Sequence, residues 1–222
     1  MRRNHDDQRL AEQRWPMAMA VIVTTFLHEI LPANFRVISA LLYFYPALTF
    51  VFLAVLIIGD PGRIDREKPW LRNTTAAMIA LMAFANTLSA VHLVLGIMDK
   101  TSRFTSAREL LGIGTVVWLT NIVAFALAYW HLDAGGSVAR YKEDTSVLPA
   151  FIFPEMVNRE FVDSNWYPQF ADYLSLSFNN ALAFSNTDVS PIKRWSKMLT
   201  LVQALVSLLL AALVIARAIN IL

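Results

Sequence analysis

Three stretches of this chain, 37–59, 74–98 and 110–130, each exceed 20 residues without one Asp, Glu, Lys or Arg. A bilayer's hydrocarbon core is about 30 Å thick, which a helix rising ~1.5 Å per residue crosses in about 20 residues. Nothing constrains the fold more than these runs. A fourth run, 198–216, is uncharged for 19 positions and continues through Arg217, whose long side chain can reach an interface. The 17–31 segment is shorter, contains His28-Glu29 and is bounded by Pro16 and Pro32. It is read as a fifth, short span, with an interfacial helix as the alternative. Pro16 suits a first helical turn, where a missing amide costs nothing, whereas Pro46, within 37–59, is expected to bend its helix.

The composition agrees: 56% of the 222 residues are hydrophobic and 16% charged. A net charge of +2, with basic residues scattered over the connections, gives no nucleic-acid surface. The charged start before residue 17 imitates a signal peptide, but it is long, carries Asp6, Asp7 and Glu12, and precedes no small-x-small site, so the segment is expected to remain in the chain.

Catalytic patterns are missing. The chain has no Cys and four His, of which His5, His28, His92 and His131 have no local metal-ligand spacing. There is no HExxH, GxSxG, Walker loop or pair of intramembrane aspartates. No enzyme, metal or cofactor is expected. Polar residues within the spans are Asn86, Ser89 and His92, a stripe at spacing three, and Asn121 beside Thr120. They suit helix packing through hydrogen bonds, with a carrier path as the alternative. His28-Glu29 likewise reads as a helix-end pair or a proton or metal site.

The chain divides into a four-helix membrane region (1–132), an interfacial connector rich in acids, aromatics and Pro (133–171), and a C-terminal part (172–222). Within the last, residues 172–184 make about 20 Å of helix, too short to cross. The segment must lie on the surface or re-enter. Ser190-Pro191 is read as the N-cap and first turn of the last span, 196–220.

The sequence "SFNNALAFSNTDVSP", Ser177 to Pro191, resembles the pore module of tetrameric potassium-channel-like proteins, whose general pattern is "SFTTLTTVGYGDISP". The two agree without a gap at Ser177, Phe178, Asp188, Ser190 and Pro191. The preceding "VWLTNIVAFALAYWHLDAGG" resembles bacterial membrane proteins with a channel-like C-terminus. The resemblance implies an all-α, multi-pass protein of a bacterial inner or plasma membrane, with five transmembrane helices and a re-entrant pore helix at 172–184. It also implies a homotetramer in the lipid bilayer that passes monovalent cations. Asn180, Ala183, Phe184, Ser185, Asn186, Thr187 and Asp188 would form the filter-like lining, and Gln203 and Ser207 would be inner-helix candidates.

The filter departs from that pattern. Ser185 and Thr187 replace the two glycines whose backbone freedom aims carbonyls at the ion, Ala183 replaces a threonine and Asn186 a tyrosine. Potassium selectivity is therefore not expected, and any lining is made by side chains. Asp188 could form an acidic ring or cap the next helix. A non-conducting protein that keeps the channel-like shape for oligomerisation is the alternative.

Two orientation rules conflict. The channel family's orientation puts the loop outside. The positive-inside count groups the N-terminus, 60–73 and Lys193, Arg194 and Lys197 on one side, against Arg36, Lys100, Arg103, Arg108 and Arg217. The charge count is preferred here, so the loop is expected to face the cytoplasm.

Overall fold

The computed structural model describes residues 10–32, 44–66, 68–98, 106–144, 146–185 and 188–221. The chain is mostly helical. Its elements are α1 (Trp15–Ile30), α2 (Phe44–Gly59), α3 (Pro69–Met98) and α4 (Ala107–Leu132), followed by α5 (Ser137–Tyr141), strand β1 (Phe151–Ile152) and α6 (Pro154–Val157). Then come α7 (Phe170–Ala183), strand β2 (Ser190–Pro191) and α8 (Arg194–Ile221). Helices α3, α4 and α8 are long and apolar enough to cross a membrane, which supports a membrane protein; α1 and α2 are shorter apolar helices. Pro16 occupies the first turn of α1, as its sequence position suggests. Pro46 is the third residue of α2 as described, and residues 37–43, on which the expected bend depends, lie outside the described residues.

Helix α4 is the centre, touching α1, α3, α7 and α8. Its approach to α8 is close because residue 114 is glycine: a Cβ there would sit 2.8 Å from both γ-methyls of Val214. Small residues permit such approach where dispersion and hydrogen bonding must hold helices together without a hydrophobic drive from water. One apolar core surrounds Leu127, Tyr129, Phe151 and Tyr173; a second, around Leu93, Leu110, Val117 and Leu210, lies toward the opposite end of α4.

The connector folds into a cap over one end of the helices. Asp133–Gly135 makes a single 3-10 turn after α4, and positive φ angles at Gly135 (78°) and Gly136 (95°) turn the chain into α5. Residues 11–14 lie across this end: Ile64 N–H donates to the Glu12 carbonyl at 2.8 Å and Arg14 N–H to the Gly62 carbonyl at 3.0 Å.

Helix α7 begins two residues earlier than the length argument placed it. A reciprocal capping box explains the start, with the Gln169 amide donating to Asp172 Oδ2 at 2.8 Å. Its 14 residues make about 21 Å of helix, short of a bilayer's ~30 Å. Phe184, at φ 54°, ends it in the left-handed conformation. The chain then returns to the cap, where β2 pairs antiparallel with β1, Ile152 opposite Ser190 and Phe151 opposite Pro191.

That pairing corrects the reading of Ser190-Pro191 as cap and first turn of the last span. Proline lacks a ladder donor but fits a two-residue edge ribbon, and α8 begins only at Arg194. Asp188 stands six residues ahead of Arg194, too far to cap α8.

Candidate functional site

The loop between α7 and α8 is the first candidate. Ala183, Phe184, Ser185 and Asp188 are exposed; Asn186 and Thr187 lie outside the described residues. A cavity of about 250 Å³ opens beside the loop, bordered by Asn180, Phe184, Ser185, Lys197 and Thr200. Lys197 places a cation next to a loop that offers one carboxylate, Asp188, among its described residues.

Asn180, Gln203 and Ser207 are buried within the chain. Gln203 is fully buried. Its amide nitrogen donates to the Ser177 hydroxyl (2.6 Å) and carbonyl (2.9 Å), and its oxygen accepts from Tyr129 OH (2.6 Å) and Asn180 Nδ2 (2.9 Å). Two donors and two lone pairs are the whole capacity of a glutamine amide, so this one is saturated. Asn180 donates also to the Thr200 carbonyl at 3.0 Å, and Ser177 to the Ile122 carbonyl at 2.7 Å. Helices α4, α7 and α8 are thereby fastened by one polar knot. Ser207 is fully buried, and its hydroxyl has no hydrogen-bond partner among the described residues. The outward face of α8 is apolar, including Met198, Leu201, Leu205, Leu208, Ile215 and Ile219.

Of the polar stripe on α3, Asn86 bridges to α4, whereas the buried His92 Nδ1 has no hydrogen-bond partner among the described residues. Asn86 donates to Asn121 Oδ1 at 2.9 Å and accepts from Thr120 at 2.7 Å, joining α3 to α4. His28 is buried with its ring 4.6 Å from that of Tyr45. Among the described residues, no group of three His, Cys, Asp or Glu could hold a metal ion.

The cap contains a charged cluster that sequence reasoning missed. Glu12, 2% exposed, accepts from Trp130 Nε1 (2.9 Å), the Ser137 hydroxyl (2.5 Å) and the Phe170 amide (2.5 Å). Asp133 accepts from Tyr173 OH and the Ala150 amide, both at 2.5 Å. Arg140 donates to the carbonyls of Trp130, Asp133 and Pro168, and its guanidinium lies 4.9 Å from the Tyr173 ring centroid. A buried charge is tolerated when it is hydrogen-bonded, and the Glu12 and Asp133 carboxylates are held by these donors. Arg140, by contrast, donates to backbone carbonyls, and its buried Nη2 has no hydrogen-bond partner among the described residues. The available signal was an acid and an arginine, Asp133 and Arg140, placed one after the other where the 110–130 run ends.

A second ionic site lies at the α2–α3 turn. Arg14 meets Asp60 at 2.8 Å, both side chains nearly inaccessible, and Arg66 lies 3.7 Å from the other Asp60 oxygen. Burial raises the Asp60 carboxyl above its ordinary pKa, a hydrogen bond with Asp65 adds to the rise, and Arg14 opposes it. Beside this pair is a cavity of about 730 Å³ between the cap ends of α3 and α4.

Comparison with protein families, curated proteins and solved structures finds no match.

Proposed function

We propose that this is a pore-type membrane protein of five spans, α1, α2, α3, α4 and α8, in which α7 is a re-entrant helix and four copies meet around an axis beside α7 and α8. Its alternative is a non-conducting oligomeric membrane protein with the same core. One observation carries the pore reading: the chain leaves the cap through α7, which is too short to cross, and returns to the same cap through β2, exposing Ser185 and Asp188 at the turn. Loops at membrane depth need protein or a water-filled cavity around their backbone groups, and a shared axis would supply one.

The saturated contacts of Gln203 and the two buried donor bonds of Asn180 support a role for those residues in holding α7 in place, leaving the loop and the apolar face of α8 to line a path. An apolar inner helix can gate by dewetting. With Ser185 and Thr187 at the glycine positions, selectivity rests on side chains, and Asp188 and Lys197 oppose one another in sign. The non-conducting reading is favoured by that same closure of polar groups within the protomer and by the apolar outer face of α8.

Planar-bilayer recording of the purified protein in asymmetric potassium chloride tests the pore. Currents are expected whose reversal potential shifts toward anions in Asp188→Asn and toward cations in Lys197→Gln, with a tetramer by native mass spectrometry. A silent tetramer would support the non-conducting reading, and a monomer would defeat both.

A further inference from the structure

We propose that the 730 Å³ cavity between the cap ends of α3 and α4 is a binding site for a phosphate-bearing anion, such as the headgroup of an anionic phospholipid. Its walls carry Arg66, Lys68, Arg72 and His131. Among the described residues, Asp60 is the one acid lining it, and Arg14 already meets that carboxylate at 2.8 Å. Arg66 is half exposed and only 3.7 Å from the same acid; Lys68 and Arg72 have no ion-pair partner among the described residues. Among the described lining residues, Arg14, Arg66, Lys68 and Arg72 thus outnumber the Asp60 carboxylate, which also bonds with Asp65.

Position narrows the ligand further. The cavity sits where two bilayer-length helices end, and Leu56, Leu71 and Trp130 give it an apolar side next to its basic one. A headgroup phosphate above acyl chains has that division, and basic pockets between helices on the cytoplasmic side are suited to anionic lipids, at about fivefold in affinity for each Lys or Arg near the surface. The guanidinium groups of Arg66 and Arg72 can also offer paired donors to phosphate oxygens. The site shares no lining residue with the cavity beside the α7–α8 loop and does not depend on conduction.

The test uses the purified full chain in neutral detergent, titrated with dioctanoyl-phosphatidylglycerol, dioctanoyl-phosphatidylcholine or inorganic phosphate, with binding read by native mass spectrometry and thermal shift. Saturable binding of phosphatidylglycerol over phosphatidylcholine is expected. It should weaken about fivefold in Arg72→Gln and about 100-fold in the Arg66→Gln/Lys68→Gln/Arg72→Gln variant. The Arg66→Lys/Arg72→Lys variant, which keeps the charge, should retain most of it. Binding of phosphatidylglycerol alone identifies a lipid site; equal saturable binding of inorganic phosphate, lost in the same variants, identifies the phosphate group as sufficient. Equal binding of the two lipids, or no loss in Arg72→Gln and the triple variant, would overturn the proposal.

Discussion

Gln203 donates to both the hydroxyl and the carbonyl oxygen of Ser177, at 2.6 and 2.9 Å, and accepts from Asn180 at 2.9 Å, so one side chain of α8 holds two residues of α7. Replacing it with leucine leaves the Tyr129 hydroxyl without this acceptor and the Asn180 amide with one of its two. Loss of a satisfied buried network of this size should cost about 2–3 kcal/mol, read as a fall in unfolding temperature in detergent. Ser207→Ala removes a buried hydroxyl that has no partner among the described residues, so stability should stay level or rise. A large loss from Ser207→Ala with little from Gln203→Leu would reverse these assignments.

Glu12 gathers three donors from α4, α5 and α7. Glu12→Ala should destabilise the chain by about 3 kcal/mol or more, because three buried donors lose their acceptor. Glu12→Gln keeps one acceptor oxygen and should recover part of the loss. Proteolysis of the cap, followed by mass spectrometry, reports the effect locally.

The contact of Gly114 with Val214 has a size complement. Gly114→Ala should cost about 1–3 kcal/mol through overpacking, and Val214→Ala in the same chain should restore much of it. A double-mutant cycle of unfolding temperatures measures the coupling. Additive losses would mean that the helices separate freely instead of remaining in contact.

Asp133 and Tyr173 form a buried pair at 2.5 Å. Tyr173→Phe removes the donor, while the Ala150 amide still satisfies the other carboxylate oxygen. A loss of about 1.5–3 kcal/mol is expected for a hydrogen bond to a charged group. Asp133→Ala should cost more, and the two changes together should cost less than their sum.

Orientation can be read with introduced cysteines, since the chain has none. Cap positions Arg66, Asp144 and Val157 are exposed, as are Met98 and Ser106 at the opposite end. The cap carries Arg63, Arg66, Lys68, Arg72 and Arg140, so the positive-inside rule puts it in the cytoplasm. An impermeant maleimide applied to intact cells should label the Met98 and Ser106 replacements, and the cap set only after permeabilisation. The reverse pattern would place the cap outside.

The long helices were legible because an uncharged run of bilayer length is a local property, and α7 was legible by its shortness. Its start at Phe170 was less so: the capping box at Gln169 and Asp172 adds two residues to the front. Ser190-Pro191 misled because a serine before a proline satisfies the helix-start rule locally, whereas the strand partner that captures it lies in the connector. The inward aim of Gln203 and Asn180 was invisible for a related reason, since a polar residue on an apolar helix gives no sign of which neighbour it meets. Glu12 was furthest from reach, its partners being spread over α4, α5 and α7.

The hydrogen bond from the Phe170 amide to Glu12 joins residues 158 apart. During synthesis, Glu12 must therefore stay at the cap surface while four helices are made before its last acceptor site is filled. The short helix cannot lock into place until that early segment has been kept waiting on the correct side. A bulky N-terminal fusion would thus act late, on the docking of α7, and leave insertion of the preceding helices untouched.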